Sequence, residues 1–303
     1  MLDADGTNIE CIDDTNLFVF VFLFVEIGSV LVISCFLVME NLRPESNPKI
    51  PLAASSTCDA GGEASVALLL LRLRFGAVHT YEDVTQNILP GFSSSLVSFN
   101  PFRMFTVWNY MLQNVFILAA LCVSVLAVVD KEVPNWLSVT VCPLFQLCLP
   151  MSIFISLNYW IFLGTSEDLV DPHMILQHAA NTIYFLMEFV LNRMLGSLSA
   201  SALTLIWGGM YCNFTWAVHW YTFHIATEKP RIWPTNSGWP YFFMSLHDWK
   251  ALLYYNTLLL TLLIFGLSYV RASLIKSHLI SELEKRTLDY DWVPMRQASY
   301  LRL

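Results

Sequence analysis

Two stretches of this chain, LFVFVFLFVEIGSVLVISCFLV (17–38) and ALLYYNTLLLTLLIFGLSYV (251–270), are each about as long as the hydrocarbon core of a bilayer is thick. Further windows of the same kind bring the reading to six spans: 17–39, 105–129, 137–163, 174–198, 201–223 and 251–270. Of the 303 residues, 56% are hydrophobic and only 13% charged, where a soluble domain has about a quarter charged. That balance excludes a nucleic-acid binder, a secreted disulfide scaffold and a disordered chain. The expected fold is all-α: a polytopic integral membrane protein with about six transmembrane helices in one bundle.

The remaining segments divide the chain into four parts. Residues 1–39 are an acidic N-terminus and the first span. Positions 1–16 carry five acids and no Lys or Arg, the opposite of a cleavable signal's basic start. Residues 40–104 read as a polar insert, largely disordered, with Pro44, Pro48, Pro51 and the run AASSTCDAGGEAS. Its short apolar patch VALLLLRLRF (66–75), broken by Arg72 and Arg74, reads as an interfacial helix or part of a loop. Residues 105–270 form a five-span core, and 271–303 a charged tail.

The net charge of −8 argues against anionic partners. Seven Cys, mostly inside apolar windows and without a CxxC, require no disulfide. Lys and Arg divide eight against eight between the two sides, so charge alone does not orient the bundle. The tail beside the last span favours a cytoplasmic C-terminus, and six spans then place the N-terminus on the same side. The host membrane is expected to be endoplasmic reticulum or plasma membrane.

Polar groups inside a bilayer cost free energy, so their placement is informative. On the fourth span, Gln177, Asn181, Tyr184, Glu188 and Asn192 follow spacings of 4, 3, 4 and 4 and share one helix face, with His178 beside Gln177. On the second span, Thr106, Asn109 and Gln113 also share a face. Two polar faces in lipid are expected to turn toward each other, and Asn, Gln and Thr there serve first as glue between helices. Alternation of the spans places Thr106, His178 and His219 at one side of the membrane. A hydroxyl and a neutral imidazole are the residue types of nucleophilic acyl chemistry, the imidazole removing the proton that keeps the hydroxyl a poor nucleophile.

Other chemistries fit less well. His173 and His178, like His219 and His224, lie five apart, the wrong spacing for two ligands on one helix face, and no metal or cofactor is expected. There is no GxSxG, Walker or GxGxxG motif. Glu26 and Glu188 could serve a proton-coupled transporter, though broken half-helices in corresponding positions are missing.

Three segments carry a family resemblance: FRMFTVWNYMLQNVFI (102–117), HMILQHAANTIYFLMEFVLNRM (173–194) and WAVHWYTFHIATEKPRIWP (216–234). Over roughly 100–270 the chain resembles the androgen-induced and androgen-dependent TFPI-regulating protein family of six-span membrane proteins. Members are threonine hydrolases that cleave fatty acid esters of hydroxy fatty acids. The resemblance implies that Thr106 is the nucleophile and His178 its base, with a lipid from the bilayer as substrate; placement alone offers Asn109, Asn181 or His219 as oxyanion donors. The family's His–Gly–Met–His–Thr–Thr stretch is LQHAA here (176–180), keeping only the second His. The segment ThrValTrpAsn is also similar to the rolling-stone-like membrane proteins, which act in cell differentiation and fusion. A non-enzymatic membrane organiser and a proton-linked carrier using Glu188 and His178 are the alternative readings.

Overall fold

The computed structural model describes residues 17–42, 62–93 and 101–291, apart from 130, 132, 169, 193, 225–238, 242–243 and 247–248. Among these residues every regular element is a helix. In chain order, α1 is Leu17–Leu42. Helix α2 is Gly62–Glu82, continued by a π-helical turn at Asp83–Ile88 and a last turn at Leu89–Ser93. Helix α3 is Phe105–Val128, and α4 is Asn135–Asn158, widening to a π turn at Tyr159–Leu163. Helix α5 spans Pro172–Leu191 with a π turn at Leu176–Ala180, α6 is Ser199–His224 and α7 is Lys250–Asp291.

The chain is an integral, multi-pass α-helical membrane protein. Each of the six expected spans contains a helix, that of 174–198 ending at Leu191, and among the described residues five helices (α1, α3, α4, α5 and α7) are long and apolar enough to cross a bilayer. Helix α4 is the central post, with 67% of its apolar window buried and neighbours in α3, α5, α6 and α7. It continues through Pro143 and Pro150. Helix α1 sits at the periphery against α6, presenting Phe22, Phe24, Val25, Val32 and Ile33 outward, as lipid contact requires. Close approach at α6 depends on small residues: a Cβ on Gly208 would meet Leu262 of α7 at 2.4 Å, and one on Gly209 would meet Leu31 of α1 at 2.8 Å.

The largest departure from the sequence reading is α2. The patch at 66–75, expected at the interface or in a loop, belongs to a helix packed on α3 and α5, and 62–93 is helical where a disordered insert was expected. Residues 43–61 and 94–100 of that insert lie outside the described residues, as do 1–16 and 292–303. The reason is an inverted amphipathic pattern. Leu68, Arg72, His79, Asp83 and Asn87 are buried along one face, while Val66, Leu70, Leu73, Val78 and Leu89 are exposed. In water that arrangement would be unstable. Between other helices and lipid it is the favourable one, because the polar groups find partners inside and the apolar ones lose nothing outside.

Arg72 shows how the inner face is satisfied. Its guanidinium pairs with the Glu188 carboxylate of α5, and it donates to Ser124 Oγ at 2.6 Å and to the Ala120 carbonyl at 2.9 Å on α3. Glu188 also accepts from Tyr184 and Asn192, both at 3.3 Å. Asn192 in turn accepts from Lys276 of α7 at 3.1 Å.

Helix α2 also changes the topology. Its contacts descend α3 from Ser124 at Arg72 to Asn114 at Asp83, so the two helices are antiparallel. Phe20 packs on Trp216 while Leu31 meets Gly209, so α1 is antiparallel to α6. The start of α1 and the end of α7 therefore lie at opposite ends of the bundle. The expected order, with the start of the first span and the end of the last on one side, is corrected for the described helices: α2 runs along the bundle between α1 and α3.

Glu188→Leu leaves the Arg72 charge buried without its counter-ion and is expected to cost about 3–5 kcal/mol. The Arg72→Leu/Glu188→Leu double variant should recover most of that loss. Thermal unfolding in detergent at matched expression checks both.

Candidate functional site

Thr106 lies in the first turn of α3, a helix whose N-cap residue, Met104, offers no side-chain cap. The cap comes from far along the chain. The Tyr241 hydroxyl accepts from the Phe105 backbone N–H at 3.1 Å and is hydrogen-bonded to the Thr106 hydroxyl. Burial pushes the Tyr241 phenol above its usual range, so it stays protonated and keeps a proton to donate. One turn on, Asn109 donates to the Phe105 carbonyl at 2.8 Å and accepts from Trp207 of α6 at 3.1 Å.

His178 is buried within the π turn of α5. Its ring lies flat on Tyr159 of α4, centroids 3.4 Å apart and planes 2° from parallel. Its Nδ1 has no hydrogen-bond partner, while its carbonyl accepts from Trp160 at 3.2 Å. His219, on α6, is buried and stacks on Trp239 at 3.9 Å.

Helices α3 and α5 run parallel, and Asn181 donates to Gln113 across them at 3.2 Å. From that rung Thr106 is seven residues toward the helix start and His178 three, an axial offset of about 6 Å at the α-helical rise. The structure thus brings Thr106 and His178 to one end of the bundle and joins neither to the other. Thr106 is bonded to Tyr241, and His178 is held by Tyr159. The expected meeting of the two polar faces happens at Gln113 and Asn181, while Gln177, Tyr184 and Glu188 of the α5 stripe face α2 and Asn192 meets Lys276 of α7. Gln177 donates to Asn87 at 3.5 Å, Tyr184 stacks on Phe75 at 4.1 Å, and Glu188 takes Arg72.

Sequence reasoning missed His79, Asp83, Asn87, Tyr110 and Asn114, all buried in the seam between α2, α3 and α5. The spacing of Arg72, His79, Asp83 and Asn87, at 7, 4 and 4, was the available signal. The structure adds one regularity. The π turns of α2, α4 and α5 all fall at the Thr106 end of the bundle. Such widened turns put side chains out of the regular helical register and are frequent at functional sites. Outside the bundle at that end, the exposed loop residue Asp168 accepts from the backbone N–H and hydroxyl of Thr165, which hold its carboxyl below the usual range. Among the described residues no three His, Cys, Asp or Glu side chains cluster as metal ligands.

Tyr241→Phe removes the acceptor for the Phe105 N–H and should cost about 1–3 kcal/mol. A lowered unfolding midpoint in detergent, with secondary structure otherwise intact by circular dichroism, is the expected result. No protein-family model, curated protein or solved structure matches the chain.

Proposed function

We propose that this protein is an intramembrane hydrolase of lipid esters, with Thr106 as nucleophile and His178 as base. The supporting observation is that both residues sit at the end of the bundle where three helices widen into π turns. The substrate class rests on the family resemblance of 102–117 and 173–194: fatty acid esters of hydroxy fatty acids or similar lipids, reached laterally from an endoplasmic reticulum or plasma membrane.

In this reading the Thr106 oxygen attacks the ester carbonyl and its proton passes to a ring nitrogen of His178. The tetrahedral intermediate then expels the alcohol, which takes that proton back, and water releases the acyl group from Thr106. Asn109, three residues along the same helix, is the nearest of the three oxyanion candidates to the nucleophile in sequence. Asn181 and His219 are the other two. The chemistry sets a conformational condition. The His178 ring must leave Tyr159, and the Thr106 hydroxyl must leave Tyr241, before the proton transfer can occur at hydrogen-bonding distance.

One observation favours a second reading. The Arg72–Glu188 pair is an ionisable group inside the bundle, linked through Asn192 to Lys276, and suits a proton-linked carrier.

A fluorophosphonate probe on membranes expressing the protein separates these readings. Labelling of the wild type that is lost in both Thr106→Ala and His178→Ala, at matched expression, is the expected result. Labelling that survives Thr106→Ala overturns the mechanism. Absence of wild-type labelling, with uptake that follows a pH gradient and fails in Glu188→Gln, would favour the carrier.

A further inference from the structure

The seam between α2, α3 and α5 carries two hydrogen-bonded groups with a break between them. On the α2 side, the Asp83 carboxylate accepts from Asn87 and Asn114, both at 3.2 Å, and Asn114 accepts from Thr80 at 2.7 Å. On the α5 side, Gln113 accepts from Asn181, which accepts from Thr182 at 3.3 Å. At the break lie His79 and Tyr110, both 0% exposed, their rings stacked at 3.7 Å.

The polar atoms at this point are orphans. Neither ring nitrogen of His79, nor the Tyr110 hydroxyl, nor the Gln113 amide nitrogen makes a hydrogen bond of good geometry within the protein. They are nevertheless neighbours: the Gln113 side chain approaches His79 at the edge of hydrogen-bonding range, and the Tyr110 hydroxyl is within reach of the Asp83 charge. Buried polar atoms left unsatisfied are costly, and four of them from three touching side chains demand a common explanation. Their chemistry is mixed. A neutral imidazole offers one donor and one acceptor, a phenol one of each, and an amide nitrogen donors only. An anion or a metal cation would satisfy only part of that set. Water, with two donors and two acceptors, matches all of it and is the usual occupant of buried polar sites with several partners.

We propose that His79, Tyr110 and Gln113 form a binding site for internal water. The bound water joins the Asp83 group to the Gln113–Asn181 group, making one continuous hydrogen-bonded chain across the seam from α2 to α5. The site is independent of the hydrolase reading, since it uses neither Thr106 nor His178.

Radiolytic hydroxyl-radical footprinting of the full chain in lipid nanodiscs tests it, because oxidation marks side chains that touch bound water. Tyr255 is the internal control: 2% exposed, its hydroxyl donates to the Met244 carbonyl at 3.1 Å and accepts from Trp216 at 2.9 Å. The expected result is oxidation of Tyr110 several-fold faster than that of Tyr255. His79→Phe should bring the Tyr110 rate down to the control while leaving Tyr255 unchanged, which also reports that the variant is folded. Equal rates at Tyr110 and Tyr255 in the wild type overturn the proposal, whatever the variant does. Thermal unfolding gives a second reading of opposite sign. Tyr110→Phe lowers the midpoint if water bonds the hydroxyl, and leaves it unchanged or raised if the hydroxyl is dry.

Discussion

A guanidinium and a carboxylate withdrawn from water each lose several kcal/mol of hydration, and only close pairing with further hydrogen bonds restores it. Arg72 and Glu188 meet that condition at the junction of three helices. The guanidinium binds α5 through Glu188 and α3 through Ser124 and Ala120, so one side chain of α2 sets its height against both neighbours. A shift of either helix by a single residue would break several bonds at once. Apolar packing in lipid is tolerant of sliding, because a leucine is nearly as well solvated by acyl chains as by another helix. The ion pair therefore supplies register, and the aromatic contacts around it, such as Phe75 on Tyr184, supply fit.

With α2 pinned, the other polar side chains along it fall opposite partners on α3 and α5. Thr80 and Asp83 reach Asn114, and Asn87 reaches Gln177. The seam lies beside the second half of the bundle, where α1, α6 and α7 pack by close helix crossings and aromatic contacts. The two halves share α4, and at the Thr106 end they are tied together by Tyr211, which donates to the Arg103 carbonyl at 2.6 Å, and by Tyr241 at the head of α3.

How much of this is legible in sequence depends on whether the signal is local. The five-residue polar stripe of α5 is: 4-3-4-4 spacing marks one face, and all of Gln177, Asn181, Tyr184, Glu188 and Asn192 are buried. Helix α2 escapes a search for apolar stripes because most of its large apolar residues face outward while Arg72, His79, Asp83 and Asn87 face inward, so the same 3.6-residue period is present with the opposite sign. The Tyr241 cap escapes for another reason. It lies 136 residues from Phe105, and nothing near α3 announces which phenol will arrive. Alternation of the spans is enough to put Thr106, His178 and His219 at one end. It could not show that each ring would be held by a neighbouring aromatic, because stacking on Tyr159 or Trp239 depends on tertiary contacts.

The separation of 116 residues between Arg72 and Glu188 has a meaning for how the protein is made. Synthesis proceeds from the N-terminus, so α2 emerges while α5 does not yet exist. An unpaired arginine raises the free energy of inserting a helix by about 2.5–3.5 kcal/mol at its centre. Until Glu188 is in place, α2 has no seat in which its inner face is satisfied. In that order of synthesis, Arg72 can meet Ser124 and Ala120 of α3 before its counter-ion on α5 exists.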